Sequence, residues 1–307
     1  MFKYSLDNKR YHTLNYYYRH KYCKKVFKVS LNANFSCPNK INGNGCIFCS
    51  KLGSEDFAGN ASLDLITQFN EVKEIMEHKW PDAYYIGYFQ ANTNTYAPVN
   101  ILKTKFEPIL KMPNLVGLSI ATRSDCINEE CLYYLKDLNT RTNLTIELGL
   151  QSMYDETLKY INRGHDLNNF ITCVKKLKES NIKVVVHIIN GLPGETKEMM
   201  INTAKFLNDL DIDGIKIHML HVIKNTPLAD IYLSKPFHLL TKDEYIDIVV
   251  SQLEVLKPEI VIHRLTGDPK KEDLIAPDWV LKKFVVLNDI DKEMKKRDTY
   301  QGSKISY

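Results

Sequence analysis

LTIELGLQ, residues Leu144–Gln151, has two different faces. Side chains of an extended strand alternate, so Leu144, Ile146, Leu148 and Leu150 share one side and Thr145, Glu147, Gly149 and Gln151 the other. A parallel strand covered by helices on both sides is apolar throughout. An acid and an amide on one face mean that this face lines something wet. The stretch IKIHML, 215–220, repeats the pattern, with Lys216 and His218 opposite Ile215, Ile217 and Met219. Polar inner faces favour an open barrel with a polar lumen over a doubly wound sheet, and a barrel keeps its chemistry at the carboxyl ends of its strands. A structural ion pair between Glu147 and Lys216 is the other reading of that face.

Outward from this stretch, short β-rich apolar runs recur at 26–33, 83–90, 115–122, 183–190 and 214–220. Segments with helical pattern lie between them, at 62–79, 128–138, 167–180 and 196–209. Six strands alternating with helices predict an α/β fold with a parallel sheet built by right-handed crossovers. A short strand at 259–262 and a helix over 278–296 are further expectations. The 307 residues, 44% hydrophobic, can bury one large core, and without repeats or Pro/Gly linkers they read as one domain with extensions. The expected boundaries are a basic, tyrosine-rich extension over 1–26, a barrel over 27–230 and a C-terminal extension over 231–307.

No window approaches eighteen consecutive apolar residues, and the first residues have no apolar core or cleavage site of a secretory signal. A cytoplasmic protein without a membrane span is expected, in which clustered cysteines bind metal more often than they pair. Residues 1–30 hold six Lys and two Arg against Asp7, a balance of +7 within a chain of net +4. Six of the eighteen tyrosines fall there too. Basic and aromatic side chains together suit unpaired nucleic acid, phosphates to the cations and bases to the rings. The other reading is an arm whose tyrosines pack on the main domain.

Three of the seven cysteines occupy CPNKINGNGCIFC, with Cys37 just after the first strand and Cys46 and Cys49 two residues apart. Structural zinc takes four protein ligands, usually as paired knuckles, and Cys23, Cys126 and Cys131 offer no spacing that completes such a set. Three thiolates with an open position suit an iron–sulfur cluster that also binds something other than protein. Spacing alone leaves zinc and cluster both open. Among His187, His218, His221 and His263, His218 shares the polar face with Lys216, and these two are the candidates for touching substrate. Glu195, in GLPGE, reads as a first-turn helix residue.

Several stretches together resemble the radical S-adenosylmethionine superfamily: the cysteine loop with Phe48 before its last cysteine, YFQANTNTYAP (88–98), LGLQSMYDETLKYINRGH (148–165), HIINGLPGET (187–196) and KIHMLHVIKNTPLA (216–229). The eight-residue gap between the first two cysteines departs from the superfamily's usual three, and is similar to the group of the YhcC and YtqA proteins and to the Elongator catalytic subunit. The resemblance implies a partial (β/α)6 TIM-like barrel. It implies a 4Fe–4S cluster on Cys37, Cys46 and Cys49, and S-adenosyl-L-methionine bound through Phe48, Gln90, Glu147, Gln151, Arg163 and Leu192. It further implies reductive cleavage of that cofactor, a low-potential electron donor such as a flavodoxin or ferredoxin, and the tRNA anticodon stem–loop as partner. The expected reaction converts a 5-carboxymethylaminomethyl group on the wobble uridine to 5-aminomethyl; a small molecule or peptide substrate is the alternative.

Overall fold

Strands and helices alternate along the chain, each segment turning back over the strand before it. The computed structural model describes Tyr4, residues 9–41, Gly43, residues 45–50 and residues 58–305. Lys3 and Asp7 of the basic arm, and Asn42 and Asn44 of the cysteine loop, lie outside the described residues. The strands are β1 (Val26–Leu31), β2 (Tyr84–Phe89), β3 (Leu115–Thr122), β4 (Leu144–Gln151), β5 (Lys183–Asn190), β6 (Gly214–Met219), β7 (Val222–Ile223), β8 (Val261–Arg264) and β9 (Leu274–Ala276). The helices are α1 (Leu14–Tyr22), α2 (Pro38–Ile41), α3 (Leu65–Lys79), α4 (Val99–Phe106), α5 (Glu129–Arg141), α6 (Asp155–Tyr160), α7 (Leu167–Glu179), α8 (Lys197–Phe206), α9 (Pro227–Ser234), α10 (Lys242–Val255) and α11 (Lys283–Lys296).

One parallel sheet runs β1-β2-β3-β4-β5-β6-β8 and curves into a half-barrel, while β7 and β9 form a separate antiparallel pair. The six expected strands are present, and the run near 259–262 adds a seventh through pairing of Gly214 with Val261. Residues 231–307 thus contribute to the sheet itself as well as packing α10 and α11 outside it. The outer faces supply the core: Val29, Leu31, Tyr85, Phe89, Leu118, Ile120, Ile146, Leu148, Val186 and Ile217 are buried in one cluster with the helices. Helix starts follow side-chain capping, as at Asp64, Asn128, Asp166 and Thr196, whose oxygens accept backbone N–H groups of the first turn.

Helix α1 lies between the edge strands and across the amino ends of the others. Thr13 bridges Ile262 of β8, and the Ile262 amide donates to the His12 carbonyl at 2.8 Å. Tyr22 donates to the Val116 carbonyl in β3 (3.5 Å), Lys21 to Asn143 before β4 (2.9 Å), and Lys183 of β5 to the Tyr17 hydroxyl (2.5 Å). A cavity of about 230 Å³ remains between Tyr17, Tyr18, Thr145, Val185 and His263. The segment before α1 is tied to the far end of the chain: Arg10 to Asp298 (3.0 Å), the His12 amide to Gln301 (2.8 Å), and the Gln301 amide to the Arg10 carbonyl (2.9 Å). No helix among the described residues is long and apolar enough to cross a membrane.

Candidate active site

The inner faces of the strands and the loop after β1 enclose a cavity of about 510 Å³. Cys37, Cys46, Phe48, Cys49, Gln90, Glu147, Gln151, Arg163, Lys216 and His218 all line it. Leu192 does not; it is buried beside the cavity in a small apolar cluster with Leu158, Ile161 and Leu220, against which Phe48 packs.

The cysteine loop is fastened to the turn that follows α6. The Ile47 amide donates to the Ile161 carbonyl (3.0 Å), Asn162 donates to the Gly45 carbonyl (2.6 Å), and Asn39 donates to the Asn162 carbonyl (2.6 Å). Cys46 is held down to about 5 by a hydrogen bond from Cys49, against the opposing effect of burial and with help from Arg163, Arg123 and Asn39. Cys49 is pushed up by the same pairing and by burial. One thiolate and one thiol therefore sit side by side at the mouth of the lumen. Three soft sulfur donors facing one cavity, with two guanidinium charges to offset thiolates, are a donor set that fits an iron–sulfur cluster. Among the described residues no three His, Cys, Asp or Glu side chains are gathered closely enough to hold a metal ion.

Arg163, 5% exposed, is fixed by two bonds to the Gly149 carbonyl, from Nε (3.2 Å) and Nη2 (2.7 Å). Arg123 backs it by donating to the Arg163 carbonyl (2.7 Å) while paired with Asp125 (2.7 Å). Gly149 permits this close approach: a Cβ there would stand 2.6 Å from the Gln151 amide nitrogen and 2.9 Å from Arg163 Nη2. The ladder shifts between Gly149 and Gln151, and Gln151 has φ 74°, a left-handed value that an L residue adopts under constraint. Such a bulge re-aims the strand's last side chain. Gln90, one residue past β2, accepts from Ser30 (3.2 Å).

Deeper in the lumen, five strands converge on Glu147, which is 0% exposed. Lys28 and Ser119 contact Oε1, each at 2.5 Å, and Lys216 and His187 contact Oε2 at 2.5 and 2.7 Å. Lys216 also donates to Tyr88 (3.0 Å). Burial opposes the Glu147 charge, yet Lys216 and Lys28 outweigh it and hold the carboxyl well below its usual range. Burial lowers Lys216 to about 7 and His187 to about 4. The ion-pair reading of Glu147 is thus what the structure contains: both oxygens are engaged, and a cofactor ammonium would have to displace a lysine. Its neighbour His218 lies 5.5 Å from the His187 ring, and burial holds it neutral.

One expectation is corrected: Glu195 precedes the N-cap Thr196 rather than sitting in the first turn of α8, and its carboxylate accepts a hydrogen bond from Ser152. Of the basic stretch, α1 lies at the amino ends of the strands, and Lys28 is a lumen residue of β1. Lys28 was counted only among the charges of the basic arm, and Tyr88, Ser119 and Arg123 were not singled out from sequence. Period-two alternation in β1 and β2 carries the signal for the first two.

Residues 36–207 match the Radical SAM superfamily and 212–296 its C-terminal domain. The YtqA protein of Bacillus subtilis is 49% identical over 304 residues, covering 98% of this chain and 94% of that one. The tRNA uridine(34) acetyltransferase of Methanocaldococcus infernus is 33% identical over 157 residues, 50% of this chain but 29% of that protein. The Elp3 structure from the same archaeon superposes with a TM-score of 0.70 at 19% identity, covering 91% of this chain and 64% of that one, a likeness of fold.

Proposed function

Because the chain belongs to the radical S-adenosylmethionine superfamily, and is an enzyme of that kind, we propose that it modifies the wobble uridine of tRNA, converting a 5-carboxymethylaminomethyl side chain to 5-aminomethyl. The observation that carries this reading is a lumen with its thiols and cofactor-binding candidates at one end and a helix across the other. A relative that covers half of this chain is named for uridine 34 of tRNA, which supports the substrate class.

In this reading Cys37, Cys46 and Cys49 would hold the cluster, which when bound would supply the electron for reductive cleavage of S-adenosylmethionine. Arg163, pinned by Gly149, offers its guanidinium to the cofactor carboxylate, and Gln151 and Gln90 offer amides beside it. Phe48 lines the cavity, and Leu192 braces it from the apolar cluster behind. A cavity of about 510 Å³ lies within the range of small-ligand sites, and an anticodon loop presents an unpaired base at low cost. With α1 across the floor, substrate enters from the mouth and displaces water as it does so, which protects a reactive species. The electron comes from a low-potential donor such as a flavodoxin or ferredoxin.

Nucleoside analysis of tRNA from cells lacking the gene tests the reading. The expected result is accumulation of the 5-carboxymethylaminomethyl form and loss of the 5-aminomethyl form. Unaltered wobble uridines would overturn it.

A further inference from the structure

Two ammonium groups share one carboxylate at the base of the lumen. Lys28 and Lys216 stand on opposite oxygens of Glu147, each at 2.5 Å, with side chains 15% and 9% exposed to the cavity. The other charges nearby supply no further anion to the lysines: Arg264 and Lys283 share Asp268, at 2.8 and 2.9 Å. His187, His218 and His263 are held neutral by burial and add none. Tyr88 presents its ring 4.9 Å from Lys28 and 4.5 Å from Lys216, and burial keeps its hydroxyl protonated. With both lysines protonated the floor therefore carries one more cation than anion, which, after burial, is why Lys216 gives up its proton so readily. A buried charge without a counterion is costly, and a small anion entering the cavity removes that cost.

We infer that Lys28 and Lys216 form a receptor for a carboxylate carried on the substrate, with Tyr88 as its wall. That this carboxylate hangs from a nucleobase rests on the reading above; the receptor itself follows from the charge geometry. Both lysines lie at the base of the cavity with little of their side chains exposed, so the anion assigned to them is the end of a short acidic side arm. Burial first, then Lys28, lowers Lys216 to about 7, Glu147 opposing them, so at pH 8 it is mostly neutral in the free enzyme. An arriving carboxylate restores its proton. Binding at pH 8 therefore takes up close to one proton, supplied by the buffer.

The test uses cluster-loaded, unreduced protein saturated with S-adenosylmethionine, so that acetate cannot occupy the open iron position. Acetate is titrated at pH 8 by calorimetry in two buffers of different ionisation heat, with acetamide as the uncharged control. The expected results are saturable acetate binding with proton uptake, and no saturation by acetamide. Lys28→Met and Lys216→Met each weaken acetate at least tenfold. Lys216→Arg keeps acetate binding and loses the proton uptake, a split that a merely structural lysine would not show. Acetate affinity unchanged in both Met variants, acetamide binding equal to acetate, or preference for inorganic phosphate would each overturn the inference. These outcomes do not depend on the tRNA result, and unaltered wobble uridines would leave the receptor standing for another acidic substrate.

Discussion

Replacing Glu147 by Gln keeps the shape of the side chain and removes the one negative charge that five strands converge upon. Lys28 and Lys216 then face each other across an amide, and the amide nitrogen meets donors where an oxygen accepted. Removing one partner of a buried ion pair costs about 3–5 kcal/mol. The pH dependence has a definite sign. Lys216 titrates near 7 in the folded protein, below the ordinary lysine value, so its burial destabilises the fold fully below about pH 7 and less as pH rises toward that ordinary value. Glu147 is what holds it as high as 7, and in the variant it falls further. At pH 6 the parent's bound proton is worth about 1.4 kcal/mol, one unit below its midpoint, and at pH 9 nearly nothing. His187, held to about 4, is neutral throughout that window and adds no slope. Glu147 itself, lowered in the fold, stays ionised from pH 6 to 9. Urea unfolding of parent and variant, followed by far-UV circular dichroism, should therefore show a loss of about 3–5 kcal/mol at pH 6 that shrinks by about 1.4 kcal/mol at pH 9. A loss under 1 kcal/mol, or one equal at both pH values, would refute the charge balance drawn for the lumen.

Three further outcomes follow. Cys37→Ala, Cys46→Ala and Cys49→Ala should each abolish iron and sulfide incorporation, whereas Cys23→Ala, Cys126→Ala, Cys131→Ala and Cys173→Ala should not; a requirement for Cys23 would point to a four-thiolate site. Arg163→Ala and Gln151→Ala should retain the cluster and weaken S-adenosylmethionine by about 2–4 kcal/mol in calorimetric titration, since a carboxylate loses its charge-assisted donors. Substituting Gln for exposed Arg19 and Lys24 should leave the salt dependence of tRNA binding unchanged, because α1 lies at the end of the barrel opposite the mouth; a slope reduced by about one per substitution would show that this face grips phosphate.

The alternation in LTIELGLQ and IKIHML was enough to read an inward polar face, because period-two patterning is local and the core demands it. What stayed illegible were meetings between strands. Lys28 counts, in a linear window, as one more charge of a basic arm; only the curvature of the sheet carries it across to Glu147, 119 positions later. Gln151 reads as the next inward residue, yet its aim is set by a bulge that the pattern does not announce. The tyrosines of α1 suit stacked bases and a packed floor equally well. Their partners, the Val116 carbonyl and Lys183, lie far along the chain and decide for the floor.

The ties between residues 9–13 and residues 291–301 set a schedule for the ribosome product. Arg10 and Asp298 are 288 positions apart, so α1 is made long before the residues that complete its holds. Contacts of such separation close late, after the strands between them have paired. Until then α1 is held to the amino ends of the sheet only by its nearer partners, the Val116 carbonyl, Asn143 and Lys183. Residues 291–301 thus act as a latch on residues 9–13, and the floor is locked in place only when both segments have been made.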